Sequence, residues 1–524
     1  MKLKLGLLAA SMMAMPAMAA QPIAGVKNII VLLNDGAGYT VYDAARDFAR
    51  KPLVVDGAGW KSIGVSTYSL RHDSPANNQP GSLTQEPDVV YNSAKYWDTT
   101  PVAGNSTVPG YTAYPAGFAG YEYSRYAHPD SAPTASALAN GNKSYNNAIN
   151  VNGAGDPLMT SAQAAHAAGK ATGVVSTVEF ADATPAAFGG AHNIARANHF
   201  AIADEMFSAG TLDVIGGTGN PDFDNNGMAR PAAYNWVSPA LWNDLKNGTN
   251  LSGKNAQNWT LVQTKAGIQA YANGTVVPPE KLAMIMQADN STQANRSDAP
   301  GTDVATYVPF TTPFLTNTPT QSDLTLAALN RLGQNTNGFY LMSEGGAIDR
   351  AEHANNFGRT IEETLASNDN VQSVVDWVNR SDTDATWDNT LLIVTADHDH
   401  LLYGPDGATV PYQGLVDNGA GNLPGYSWFG PNHGNGLVPL FAYGRGSDEI
   451  AALATMFDSY TDAQGRVFGH GAYTDQTAIG QVLLATAGAV PEPASWALMI
   501  VGFGIVGSTM RYRARTASLS RKPV

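Results

Sequence analysis

Nearly continuous apolar runs recur along the chain, each closed by polar or glycine positions. Val26 to Asn34 is the first, and its lack of alternation predicts a strand buried on both faces. Ala171 to Thr177, Gly338 to Ser343, Thr390 to Ala396 and Leu437 to Ala442 repeat the pattern. Between these runs, apolar residues three and four apart predict helices over 39–50, 159–169, 196–208, 322–332, 356–380 and 473–487. Buried strands alternating with helices imply an α/β fold with helices on both faces of the sheet. In such sheets the ligand site lies beyond the carboxyl ends of the strands.

Two stretches break this rhythm. Residues 72–125 and 220–320 are rich in Pro, Gly, Tyr and Asn, with weak periodicity. They read as loop-rich insertions or lids on one core, not as separate domains.

The ends carry different patterns. Lys2 and Lys4, an apolar run from Leu5, and Ala17-Met18-Ala19 make residues 1–20 a secretory signal peptide, with an apolar run too short to span a bilayer. At the other end, Pro491-Glu492-Pro493 precedes an apolar helix over 494–510 and then Arg511, Arg513 and Arg515. Seventeen residues is at the short limit for a membrane helix, and the arginines would hold the tail inside. Pro-Glu-Pro, apolar helix and basic cluster in that order resemble the PEP-CTERM sorting signal of Gram-negative bacteria. That resemblance implies that residues 490–524 engage the inner membrane and a sorting protease, which releases or re-anchors the protein. A plain single-span anchor is the alternative. Either way, residues 21–489 are expected outside the cytoplasm, in the periplasm, at the cell surface or beyond it.

Charge and composition narrow the chemistry. Of 524 residues, 30 are Lys or Arg and 44 are Asp or Glu, which disfavours a nucleic-acid binder. The chain has no cysteine, which excludes disulfides, thiolate zinc sites, iron–sulfur clusters and a thiol nucleophile.

The residues after the strands carry the strongest signal. The first strand is followed by Asn34-Asp35-Gly36, the strand at 390–396 by Asp397-His398, and the strand at 338–343 by Glu344, then Asp349 and His353. One acid after a strand is usually a cap or turn residue. Three strands ending in acids and histidines point to divalent cations, which take carboxylate and imidazole ligands. Asp349 and His353 are four apart and share a face if the segment is helical. His433-Gly434 precedes the last of the strands.

His128 to Ala137 leads into a small-residue helix with Ser131 at or near its N-terminus, where free N–H groups favour an anion. Ser131 there is either a simple N-cap or, beside two metals, a nucleophile. Asp182 and Thr184 offer oxygen ligands suited to magnesium, and Arg196 offers a two-pronged donor for phosphate.

The order of these motifs is similar to that of the alkaline phosphatase family. Asn34-Asp35-Gly36, the Asp130–Ala137 segment running on to Gly141-Asn142-Lys143, Asp182-Ala183-Thr184-Pro185-Ala186-Ala187, and Glu344 through His353 carry the resemblance. Thr395-Ala396-Asp397-His398, His433-Gly434 and Thr474-Asp475-Gln476-Thr477 complete it, from about residue 26 to about 486. It implies a three-layer sandwich around a large mostly parallel sheet, with the insertions on it. It further implies an exported phosphomonoesterase that acts on phosphate monoesters through phosphorylated Ser131, with two Zn2+ and one Mg2+ per chain. One zinc would be held by Asp349, His353 and His433, and the other by Asp35, Asp397 and His398. Magnesium would be held by Asp35, Thr184 and Glu344, with Asp182 close by through water, and Arg196 would clamp phosphate. A homodimer is one outcome the resemblance allows.

Some positions depart from the family pattern. Pro133 stands where a small residue is common, and Ser131-Ala132-Pro133-Thr134-Ala135 resembles the sulfatase motif. Ala135 replaces the arginine that sulfatases need, and the missing cysteine also disfavours that chemistry. Arg350 follows Asp349 as a cation able to reach phosphate through water. Retained Thr184, Glu344 and Arg196 favour monoesters over diesters. A non-catalytic surface or matrix protein would not need a complete ligand set. His72, His166, His199, His400 and His470 receive no metal role. Asp222 to Gly227 resembles the start of a calcium loop, but Ala233 at its twelfth position excludes an EF-hand. Losing the seven basic residues of the two sorting segments takes the formal charge from −14 to −21, so part of the acidity belongs to the expected metal site.

Overall fold

A computed structural model describes residues 20–72, 83–248, 259–298, 303–380 and 382–489. Nearly all of the signal segment, 1–20, and the whole sorting segment, 490–524, with its apolar stretch 494–510, lie outside the described residues. Among the described residues, no helix is long and apolar enough to cross a membrane.

The five apolar runs all become strands of one sheet. They are β1 (Asn28–Leu33), β5 (Ala171–Glu179), β9 (Phe339–Glu344), β10 (Thr390–Thr395) and β13 (Val438–Gly444). The sheet is completed by β2 (Lys61–Ser66), β6 (Val214–Thr218), β7 (Thr260–Val262), β8 (Leu282–Ile285), β14 (Met456–Thr461) and β15 (Val467–Asp475). Its eleven strands run in the order β14-β15-β2-β13-β10-β1-β9-β5-β6-β8-β7. From β10 to β7 every neighbouring pair is parallel. β13 runs against both its neighbours, and β14 against β15. Every residue of β1, β9 and β10 is buried, as an unbroken apolar run requires. Burying each Ile or Leu here contributes about 1.5–3 kcal/mol.

Helices cover both faces. On one side, Ser131–Asn140 packs against Ala183–Phe188 and Gln476–Ala487. On the other, Tyr39–Ala49, Gln321–Leu332 and Phe357–Val378 pack together. This is the expected three-layer α/β sandwich with a mostly parallel sheet.

The Ser131–Asn140 helix is buried along its whole length. Its small side chains let the neighbouring helix approach backbone to backbone. A Cβ on Gly480 would stand only 2.0 Å from the carbonyl oxygen of Ala137, so no larger residue fits.

The two irregular stretches turn out to differ. Residues 72–125 add the small antiparallel pair β3 (Pro101–Asn105) and β4 (Pro115–Phe118) outside the main sheet. Residues 220–320, expected as an insertion, also contribute β7 and β8 to the edge of the main sheet. Runs of three and four residues are too short to stand out from loop composition. A further pair, β11 (Asp399–Tyr403) and β12 (Ser427–Gly434), stands apart from the main sheet.

Candidate active site

Three parallel strands end side by side and deliver their first polar residues to one place. β1 ends at Leu33, and Asp35 follows in the turn Asn34-Asp35-Gly36. Gly36 takes φ +77°, and a Cβ there would sit 2.2 Å from Glu352 Oε2, so the turn demands glycine. Gly36 N donates to Asp397 Oδ1 at 3.3 Å, tying this turn to the end of β10. β9 ends on Glu344, and a Gly-Gly turn opens the Ala347–His353 helix, which places Asp349 and His353 one turn apart. β12 supplies His433.

Asp349 is the hub of the first group. Its carboxylate oxygens lie 3.3 Å from His353 Nε2, 2.8 Å from His400 Nε2 and 3.3 Å from His433 Nε2. His353 Nε2 and His433 Nε2 are 3.1 Å apart. Their other ring nitrogens face carbonyls: His433 Nδ1 meets Pro129 O at 2.8 Å, and His353 Nδ1 meets Pro431 O at 2.9 Å. A carbonyl only accepts, so each Nδ1 carries a proton, and in the neutral ring the Nε2 beside the cluster is a lone-pair donor to a metal. Two lone pairs at 3.1 Å repel unless a cation sits with them.

The second group centres on His398. Its Nε2 lies 3.2 Å from Asp35 Oδ1, 3.3 Å from Asp397 Oδ2 and 3.1 Å from Ser131 Oγ. Ligand atoms of Asp349, His353, His400 and His433, and those of Asp35, Asp349 and His398, form two sets compact enough to hold an ion each. Asp397 also accepts from the Thr134 hydroxyl at 3.2 Å. Glu344 accepts from the Ser176 hydroxyl.

Electrostatics support the same reading. Burial, then Asp397, Asp349 and Glu344, push the Asp35 carboxyl well up. Burial above all pushes Glu344 up to about 8 and Asp397 up to about 7. Burial pushes His433 down to about 4 and His398 well below its ordinary value. Asp349 is the exception: burial pushes it up, but His353, His400 and His433 outweigh that and hold it well down. Crowded acids and neutral imidazoles need outside cations. Asp35 Oδ1 and Thr184 Oγ1 are buried without a hydrogen-bond partner. Mixed nitrogen and oxygen donors suit zinc, and the oxygen donors of Asp35, Thr184 and Glu344 suit magnesium.

Ser131 is the first residue of its helix, and the cap is Asp130, whose carboxylate accepts from Ala132 N at 2.7 Å. The serine hydroxyl is thereby free of capping and faces His398. Asp130 Oδ2 also accepts from Asn147 N at 2.6 Å, and Asn147 O accepts from Arg196 N at 2.8 Å. Arg196 donates to Asp182 Oδ1 at 2.8 Å and comes within 3.7 Å of Asp130.

Arg350 is held by Glu179 and Asp182, both at 2.8 Å. Asp182 thus sits between two arginines. Burial pushes its carboxyl up, but Arg196 and Arg350 bring it down to about 2.

Three side chains at this centre were not singled out from sequence. His400 stands two residues after His398, in β11, and its Nε2 reaches Asp349 Oδ1 at 2.8 Å. Glu179, the last residue of β5, anchors Arg350. Glu352, fully buried, packs beneath Gly36. The Asp222–Gly227 loop, in contrast, spends its carboxylates internally. Asp222 Oδ2 takes Trp242 Nε1 at 2.9 Å and Lys246 Nζ at 3.3 Å, and Asp224 Oδ1 takes Asn226 N and Met228 N.

Oxygen and nitrogen ligands gathered from strand ends around a helix-borne hydroxyl mark a metal-dependent hydrolase. A family model described as alkaline phosphatase matches residues 113–421, more than half of the sequence, and the chain belongs to that family. It is 26% identical over 491 residues to the alkaline phosphatase of Escherichia coli (strain K12), covering 88% of this chain and 86% of that one. It is 30% identical over 285 residues to alkaline phosphatase 3 of Bacillus subtilis (strain 168), covering 53% of this chain. That match spans only about half the length of the Bacillus protein, 51%. Among solved structures, the cold-active alkaline phosphatase of a psychrophilic Shewanella species superposes with a TM-score of 0.55 at 22% identity, over 88% of this chain and 99% of that one. This likeness concerns the fold.

Proposed function

We propose that this chain is an exported phosphomonoesterase that releases inorganic phosphate from phosphate monoesters through a phosphoserine at Ser131. The observation that carries the reading is the 3.1 Å approach of Ser131 Oγ to His398 Nε2, beside two sets of metal-type ligands that are buried except for His353.

Asp349, His353 and His433 would hold one zinc, with His400 bracing Asp349. Asp35, Asp397 and His398 would hold the second, and Asp35, Thr184 and Glu344 the magnesium, with Asp182 nearby. When bound, these ions supply Lewis acidity that lowers the pKa of a hydroxyl and stabilises the departing oxygen. Ser131 Oγ attacks phosphorus, its bond to phosphorus forms, the ester P–O bond breaks, and the alcohol leaves with a proton. Water then attacks phosphorus, the Ser131 O–P bond breaks, and the serine regains its proton as phosphate departs. Arg196, oriented by Asp182 and by the Asn147 backbone, offers its guanidinium to two phosphate oxygens in both steps. A monoester presents those unesterified oxygens, which favours it over a diester. Asp130 keeps Ser131 uncapped and the helix N-terminus aimed at the anion.

Export is read from residues 1–20, and membrane sorting from 490–524. The test is hydrolysis by residues 21–489, loaded with zinc and magnesium. p-Nitrophenyl phosphate should be cleaved faster than the bis-ester and the sulfate ester, and Ser131→Ala should show no labelled phosphoenzyme on acid quench. A faster diester or sulfate reaction, or a phosphoenzyme in the variant, would discard the proposal.

A further inference from the structure

A cavity of about 150 Å³ lies away from the proposed catalytic residues, between the loop after β8 and the Phe357–Val378 helix. Thr177, Gln321 and Glu363 line it, and exposed Phe314, Thr320 and Ala366 frame its mouth. Two adjacent acids of that helix are treated unequally. Glu362 accepts from Arg296 Nη2 at 2.9 Å, the Tyr307 hydroxyl at 2.6 Å and Phe310 N at 2.5 Å. Glu363 is only 6% exposed, and its Oε1 is buried with no hydrogen-bond partner.

The nearest cations are already committed. Arg296 belongs to Glu362, and Arg359 to Asp298. With Glu363 the group holds three acids against two arginines, one negative charge in excess. Lys265 also lines the cavity, but no ion pair joins it to Glu363 among the described residues. Burial, then Glu362, pushes the Glu363 carboxyl up to about 7. A buried acceptor left unpaired is destabilising until a donor reaches it. Phe314, Leu315 and Pro319 give the remaining wall an apolar character.

We infer that this cavity binds a small organic cation, a primary ammonium on a short aromatic or alkyl stem, with the ammonium on Glu363 and the stem against Phe314, Leu315 and Pro319. The ammonium contributes the missing charge and donor together, and its other N–H groups meet the threonine hydroxyls of the wall. A space of about 150 Å³ accepts a benzene ring. Ligand and catalytic centre are connected through the wall itself: Gln321 Nε2 donates to Ser343 Oγ at 3.4 Å, and Ser343 precedes Glu344. Thr177 Oγ1 accepts from Ala347 N, at the head of the helix that carries Asp349.

The test uses metal-loaded protein saturated with inorganic phosphate, so that amines are kept from the metal centre. Benzylammonium, benzyl alcohol and benzoate are titrated by calorimetry at about pH 8.5, where Glu363 is ionised. Benzylammonium should bind once per chain, about tenfold or more tightly than benzyl alcohol, and benzoate should not bind. Glu363→Gln should weaken benzylammonium about tenfold or more, and Ala366→Phe, which fills the mouth without touching a charge, should remove binding of both. Phosphatase activity and thermal unfolding report that each variant is folded; if Glu363→Gln does not fold, Ala366→Phe decides alone. Absence of benzylammonium binding, equal binding of all three probes, or binding undiminished in a folded variant would overturn the site.

Discussion

Two regions of this molecule bury acid against acid, and they resolve the conflict differently. Beneath the loop after β8, Glu362 meets Arg296, both side chains 1% exposed, and Arg359 meets Asp298. There the chain brings its own cations for Glu362 and Asp298 and leaves Glu363 alone without one. At the ends of β1, β9 and β10, Asp35, Glu344 and Asp397 converge with histidines that burial holds neutral. The arginines nearby, Arg196 and Arg350, are spent on Asp182 and Glu179. A buried charge needs a partner, so a cluster that the chain leaves without one is built for a cation from outside. The contrast sets the Glu362–Arg296 and Asp298–Arg359 pairs, which the chain completes itself, against a cluster of acids that it leaves open.

The largest effect comes from removing a cation that the chain supplies. Arg296→Met should cost about 3–5 kcal/mol in urea unfolding, because Glu362 is left charged and buried. Metal affinity should stay unchanged, since the two regions solve their problems separately. A variant as stable as the parent would show that the pair carries no such weight.

The second uses pH. Glu344 and Asp397 are pushed up to about 8 and about 7, above their unfolded values of 4.5 and 3.8. The fold favours their protonated forms, so their contribution is present at low pH and is lost as pH rises through the folded values. His433, lowered to about 4, works in the opposite sense, destabilising only as pH falls below 6.5. Between about pH 6.5 and 8 the acids dominate, and chelated protein should lose ~2 kcal/mol. Bound metal ions would hold those acids ionised, so protein loaded with zinc and magnesium should lose less over the same range. Glu363, near 7, leaves a smaller slope in both forms. Parallel slopes with and without chelator would erase the distinction between the regions.

The smallest effect concerns His400. Removing its contact with Asp349 by His400→Asn should weaken zinc about 10–100-fold while the fold persists. Competition with a chelating dye measures this, and unchanged affinity would remove His400 from the centre.

Much of the fold and most of the candidate centre were legible because buried parallel strands are unbroken apolar runs. Where such a run stops, the backbone leaves the sheet, and the next polar side chains, Asp35, Asp397 and His398, stand at its edge; Glu344 marks the end of β9 itself. His400 escaped because it lies inside β11 and is recognisable only by its spacing of two from His398. Glu179 escaped because β5 runs two residues beyond Thr177, the last residue of its apolar run. Glu362 and Glu363 look like a solvated helix face in sequence. They are buried only because residues 290–298 and 303–315 fold over them, a long-range event that local periodicity does not record. β7 and β8 were hidden by brevity, and Arg350 by direction, since its position beside Asp349 did not reveal that Glu179 and Asp182 would hold it.

The backbone contact between the serine helix and Gly480 has a consequence in time. Ser131 is synthesised more than 340 residues before Gln476, the start of the helix that seats its own. That helix also accepts Ile23 N on Thr486 Oγ1 at 3.0 Å, joining the segment ahead of β1 to it. A growing chain therefore carries the proposed nucleophile unseated until the Gln476–Ala487 helix has been made. Because that helix closes at Ala487, before Pro491, trimming of the tail at the Pro-Glu-Pro motif would leave the seat of the serine intact.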